Sequence, residues 1–141
     1  MNRFSNTNPA DSHTTEEYNI MEEWEDLRRE ARRLEGSLEE VVQSYSRLSQ
    51  RMNSDLLYED GMPLMESQEE HSLAMEIEHL LSALSDCNEK MNACVQRGAP
   101  AASSALLQRY REILFDYSTE FKKTSAAIQR KRQTDELFRG G

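Results

Sequence analysis

WEDLRREARRLEGSLEEVVQSYSRLSQRM, residues 24–52, carries an apolar side chain every three or four positions: Trp24, Leu27, Ala31, Leu34, Leu38, Val41, Tyr45, Leu48 and Met52. An α-helix turns once in about 3.6 residues, so this spacing lines all of them along one stripe. The rhythm returns at Leu73, Ile77, Leu80, Leu84, Cys87, Met91 and Cys94, and again at Leu107, Tyr110, Leu114, Tyr117, Phe121, Thr124 and Ile128. Three such stripes leave water only by packing on one another. The pattern predicts an all-α fold, an antiparallel up-down-up three-helix bundle of left-handed sense, with helices over about 20–52, 69–96 and 101–135.

Composition agrees with that expectation. The chain has 141 residues, 37% hydrophobic and 30% charged, enough for one core with wet helix faces around it. Five Gly and three Pro offer little turn chemistry for a β fold. Residues 1–19 are rich in Asn, Ser and Thr without periodicity and are predicted to form a disordered tail. Residues 53–69 form the long connection, where Gly61 and Pro63 are expected to break any helix. Gly98 and Pro100 mark the end of the second helix in the usual order, Gly just past the end and Pro soon after.

Charge is unevenly distributed. The formal net charge is −9, yet residues 52–89 hold ten Asp or Glu and no Lys or Arg. The rest of the chain therefore sums to +1, and residues 122–139 hold six bases against Asp135 and Glu136. A tight turn at Gly98–Pro100 makes the second and third helices antiparallel neighbours. The acidic Glu69, Glu70, Glu76 and Glu78 should then lie beside Arg130, Lys131 and Arg132, with Arg47 and Arg51 arriving at the same end. Overall acidity argues against nucleic acid as a partner.

Catalytic signatures are missing from the sequence. It holds no Gly-rich phosphate loop, HExxH, GxSxG or CxxC. Cys87 and Cys94 are seven residues apart on one helix, so their Cα atoms lie about 10 Å apart, beyond disulfide reach. They read as buried thiols in a reducing compartment. Glu76 and His79 have the spacing of a bundle metal site, but once only and beside the stripe. No catalytic residue, cofactor or metal is expected. Nor is a signal peptide or an apolar run of membrane-spanning length present, so the chain reads as soluble.

Interaction surfaces are the remaining candidates. Phe115 lies off the third stripe, next to the flanking Ile113. Leu56, Leu57, Tyr58, Met62, Leu64 and Met65 form an apolar cluster in an acidic segment, either folding onto the bundle or serving as a docking motif. Lys122, Lys123, Arg130, Lys131 and Arg132 form a basic end that is also a candidate contact for an anionic membrane surface. A structural helical adaptor of the spectrin-repeat kind shares the same periodicity and is the alternative reading from periodicity alone.

Three strings narrow the choice. WEDLRREARRLEGSLEE (24–40), MEIEHLLSALSDCNEKMN (75–92) and LLQRYREILFDYSTEFKKTSAAI (106–128) resemble, in order and spacing, the N-terminal region of the Golgi SNAP receptor complex member 1 family. These are Qb-type SNAREs of ER–Golgi and intra-Golgi transport. The resemblance covers about Trp24 to Phe138. It implies an Habc-like N-terminal domain that regulates or docks, acting by protein binding on the cytosolic face of the Golgi in a membrane-anchored parent. Implied partners are other Golgi SNAREs, tethering factors or Sec1/Munc18-type proteins. The chain ends in Phe138-Arg-Gly-Gly with neither a later heptad segment bearing a central glutamine nor an apolar tail, so the SNARE motif and anchor are expected to lie outside it.

Overall fold

The periodic stripes form three long helices: α1 (Pro9–Ser54), α2 (Met62–Gln96) and α3 (Ala102–Arg139). The computed structural model describes residues 9–54 and 62–139, with side chains over 15–54 and 65–138, and no strand occurs among them. Helix α1 alone has 46 residues, about 70 Å at 1.5 Å per residue.

Two boundaries differ from the sequence expectation. Helix α1 begins at Pro9, inside the stretch expected to be tail; a proline at the first helical position gives up an N–H that no carbonyl would have accepted. Helix α2 begins at Met62, so Pro63 sits in its first turn and does not break it, for the same reason. The third helix also runs on, to Arg139.

The turn between α2 and α3 follows its sequence signal. Gly98 takes φ +107°, the left-handed region open to glycine. Its N–H donates to Val95 O at 3.2 Å, and the Ala99 N–H donates to Cys94 O at 3.0 Å. These two bonds satisfy carbonyls left over at the helix end, the Schellman pattern. Pro100 O then accepts from the Ser103 N–H at 2.8 Å, opening α3.

Cross-helix pairs fix the directions. Glu23 meets Arg97 and Arg51 meets Glu69, so α1 and α2 run antiparallel. Asn88 Nδ2 donates to Tyr110 O at 3.2 Å and Arg132 reaches Glu70, so α2 and α3 are antiparallel too. Arg109 faces Glu35 and Phe121 faces Tyr45, which makes α1 and α3 parallel. The core runs down the middle, where Leu34, Leu38, Leu48, Ile77, Leu84 and Ile128 are almost wholly shielded. Each such side chain stabilises by about 1.5–3 kcal/mol relative to exposure, against chain entropy of similar total size.

Outside the core, α1 is laced along its length by Glu25–Arg28 (2.7 Å), Asp26–Arg29 (3.0 Å) and Glu30–Arg33 (2.6 Å). Residues three apart are neighbours on a helix, and each pair adds about 0.2–0.5 kcal/mol. Gly36 lies exposed on the same helix, with nothing within 4 Å of the place its Cβ would occupy.

Candidate functional site

The stripe residue Tyr45 organises the end of the bundle away from the Gly98 turn. Its ring is buried and meets Phe121 at 5.4 Å between centroids. The hydroxyl donates to Glu70 Oε1 at 2.9 Å and accepts from Ser125, while Arg132 Nη2 stands 3.5 Å from Glu70 Oε2. Burial is the chief cause that pushes the Tyr45 phenol up to about 12, so it stays protonated and serves as a donor. Residues from all three helices thus meet in a polar knot: Tyr45 of α1, Glu70 of α2, and Ser125 and Arg132 of α3. It favours one axial register, because a slip of one turn would separate the half-buried Glu70 carboxylate from the Tyr45 hydroxyl and the Arg132 charge.

This knot uses part of the predicted basic end. Lys131 pairs with Asp135 at 3.1 Å and Arg132 with Glu70, and both cations are partly buried. Lys122, Lys123 and Arg130 are exposed. The five cations therefore do not form one surface: two are engaged within the bundle, and Lys122 and Lys123 stand about two turns back along α3. Of the expected acidic–basic contacts, Glu70 and Glu69 make theirs, to Arg132 and Arg51, whereas Glu76 and Glu78 remain exposed.

Ile113 and Phe115 are likewise separated. Positions two apart on a helix point about 200° from one another. Ile113 packs against the core, whereas Phe115 is 69% exposed. Phe115 lies one turn beyond Arg111, which donates to Asn92 Oδ1 at 3.2 Å across the α2–α3 seam. A shallow cleft of about 230 Å³ opens there, lined by Ser85, Asn88, Glu89, Asn92, Arg111 and Leu114. Asn88 is buried within it, and its Oδ1 has no hydrogen-bond partner. Leu57 and Tyr58 lie outside the described residues; Leu64 falls within α2, its side chain outside the description.

Chemistry beyond binding finds little support in the geometry. Cys87 and Cys94 are free, buried thiols pushed above the usual thiol range, chiefly by burial. The Cys87 thiol donates to Leu27 O at 3.4 Å. Among the described residues no three His, Cys, Asp or Glu come together to hold a metal ion, and no helix is long and apolar enough to cross a membrane.

One surface is not legible in the sequence. Arg28 and Arg32 of α1 and Arg109 of α3 meet across the α1–α3 seam, in a cleft of about 200 Å³. The repeated arginines of RREARR read as a solvated helix face, and only the relative rotation of α1 and α3 brings Arg109 to them.

The family model described as the GOSR1 N-terminal domain matches residues 19–141. The chain is 36% identical over 135 residues to Golgi SNAP receptor complex member 1-2 of Arabidopsis thaliana, covering 82% of this chain and 52% of that protein. Golgi SNAP receptor complex member 1 of Mus musculus is 36% identical over 131 residues with the same coverage. The Drosophila melanogaster protein of that name is 34% identical over 118 residues, covering 81% of this chain and 50% of the relative. The chain spans about half the length of the curated relatives it matches. No solved structure matches it.

Proposed function

We propose that this chain, which belongs to the Golgi SNAP receptor complex member 1 family through its N-terminal domain, is a docking module of a Golgi SNARE. It acts by protein binding in vesicle docking and fusion between the ER and Golgi and within the Golgi, and performs no catalysis. The match over residues 19–141 carries this reading. It also sets aside the spectrin-like spacer, with which the bundle alone is equally compatible.

Support for a binding role comes from what the helices leave outside. Most large apolar side chains of the stripes are buried or half-buried, while Phe115 stands clear beside the α2–α3 cleft, where Asn88 Oδ1 lacks a donor. An exposed aromatic offers a partner apolar area at little entropic cost. The partners are other Golgi SNAREs, tethering factors or Sec1/Munc18-type proteins, on the cytosolic face of the Golgi.

Purified chain and its Phe115→Ala variant, immobilised and challenged with purified Golgi SNAREs, a tethering factor and a Sec1/Munc18-type protein, give the test. Wild-type retention of one of them, reduced about tenfold or more by the substitution, is expected, as for an aromatic hot spot worth ~2 kcal/mol. Unchanged retention would remove Phe115 from the surface. Absence of binding to all three classes would overturn the docking role.

A further inference from the structure

Two clefts on the α1–α3 seam adjoin at Leu106, which lines both. The first, about 220 Å³, lies nearest the Gly98 turn and is walled mainly by Met21, Trp24, Pro100, Ala102 and Leu106. The second, about 200 Å³, holds Arg28, Arg29, Arg32 and Arg109 around Glu35 and Tyr110. On α1 the exposed Tyr18, Met21 and Arg32 and the half-buried Glu25 and Arg28 follow the three-four step, so they form a second stripe beside the core stripe. One groove thus changes character along its length, apolar at one end and cationic at the other. The two halves are about 12 Å apart, or two helical turns.

Charge satisfaction is incomplete in the cationic half. Arg28 and Arg29 are held by Glu25 and Asp26, but Arg32 forms no ion pair with any described residue. Arg109 stands 3.9 Å from Glu35 Oε1, at the outer limit of a pair. Glu35 Oε2 is buried with no hydrogen-bond partner. Two guanidiniums on opposite walls thus have no close carboxylate among the described residues. Guanidinium favours carboxylate because its planar fork matches both oxygens.

We propose that the α1–α3 groove docks a partner protein segment that places an apolar side chain against Met21 and Trp24 and carboxylates, two helical turns on, between Arg32 and Arg109. Charge complementarity selects the occupant. In a chain of net charge −9, this groove offers two weakly engaged guanidiniums beside an apolar slot. An anionic membrane fits less well, because the groove is a concave slot between two helices and a bilayer surface is flat on this scale. The site is separate from the Phe115 face and stands whether or not that face is used.

An amide NMR titration of the isotope-labelled chain tests this with two synthetic helical peptides. One carries Leu in its first turn and Glu two turns on along the same face; its twin carries Lys in place of every Glu. The acidic peptide is expected to shift amides around Met21–Arg32 and Ala102–Tyr110, with the lysine twin at least tenfold weaker. Reversing both exposed charges, Arg32→Glu with Arg109→Glu, should weaken the acidic peptide tenfold or more and restore the lysine twin. Should that variant fail to fold by circular dichroism, Met21→Lys probes the apolar half and should also weaken binding. Equal binding of the twins, an unaffected folded variant, shifts confined to the α2–α3 face, or no shifts at all would each overturn the proposal. So would recruitment to phosphatidylserine vesicles, or a dimer by ultracentrifugation, that these substitutions abolish while the peptide has no effect.

Discussion

Helix α1 meets its two neighbours in different ways. Against α2 it is joined at four levels: Glu23–Arg97 at 2.9 Å, Leu27 O to the Cys87 thiol, Tyr45 to Glu70, and Arg51–Glu69 at 3.0 Å. Against α3 the Tyr45–Phe121 ring contact is close, but Arg109 stays 3.9 Å from Glu35, and two clefts open around Leu106. The same helix thus has one closed seam and one left open. A closed seam shields more of the apolar stripe from water. An open one leaves stability unused and surface available, which is the condition for a binding site.

The largest expected effect tests that contrast directly. Leu84 is fully buried on α2, whereas Leu106 is only part-buried between the clefts of α3. Leu84→Ala should destabilise by about 2–5 kcal/mol, since transfer and cavity terms add. Leu106→Ala should lose about 1 kcal/mol, because its removal enlarges space already open to water. Chemical denaturation of both variants reads the difference. Equal losses would mean that the α1–α3 seam is as well packed as the other.

Next comes Tyr45, where all three helices meet. Tyr45→Phe keeps the ring against Phe121 but removes the donor to Glu70, for a loss of about 1–2 kcal/mol. Its pH dependence has a definite sign. The folded phenol is pushed up from 10.0 to about 12, so between those values the folded state holds a proton that the unfolded state has released. The stabilising contribution is therefore complete below pH 10 and falls away as pH climbs towards 12. Tyr110 and Tyr117 are shifted the same way, chiefly by burial, and add to the fall. Denaturation midpoints across this range should decline less steeply for Tyr45→Phe than for wild type. Parallel declines would show that Tyr45 is not held neutral by the fold.

How much of this is legible in sequence depends on which question is asked. The three-four ladder reads out the existence and order of the three helices and assigns Leu34, Leu84 and Ile128 inward, because burial on a helix is periodic. It misses Pro9–Asn19, which has no apolar rhythm, and it treats Pro63 as a breaker though first-turn prolines are tolerated. Phe115 is legible as exposed because it falls off the stripe; Ile113 is misplaced beside it because flanking positions depend on how wide the contact face becomes. The α1–α3 groove is not legible at all. It depends on the rotation of Arg32 and Arg109 towards each other, and local periodicity carries no information about rotation between helices.

Gly36 sharpens the comparison from a neutral position. It is exposed, with open space where a Cβ would stand, so Gly36→Ala removes backbone entropy from the unfolded chain without a clash. Stability should rise by about 0.5–1 kcal/mol, read as a higher denaturation midpoint. A fall would show that α1 needs a bend at this level to reach both neighbours.

The smallest effects separate the seams by their ion pairs alone. Arg97 and Glu23 are each about half exposed and 2.9 Å apart, so Arg97→Ala should lose no more than about 1 kcal/mol, and less as salt rises. Arg109 is more exposed and stands 3.9 Å from its carboxylate, so Arg109→Ala should change stability hardly at all in any salt. Thermal unfolding at low and high salt distinguishes them. If Arg109→Ala proves the more damaging and the more salt-sensitive, its guanidinium holds Glu35 in place and the cleft is closed by charge. If it is silent, Arg109 contributes little to the fold and its charge is available to a partner's carboxylate.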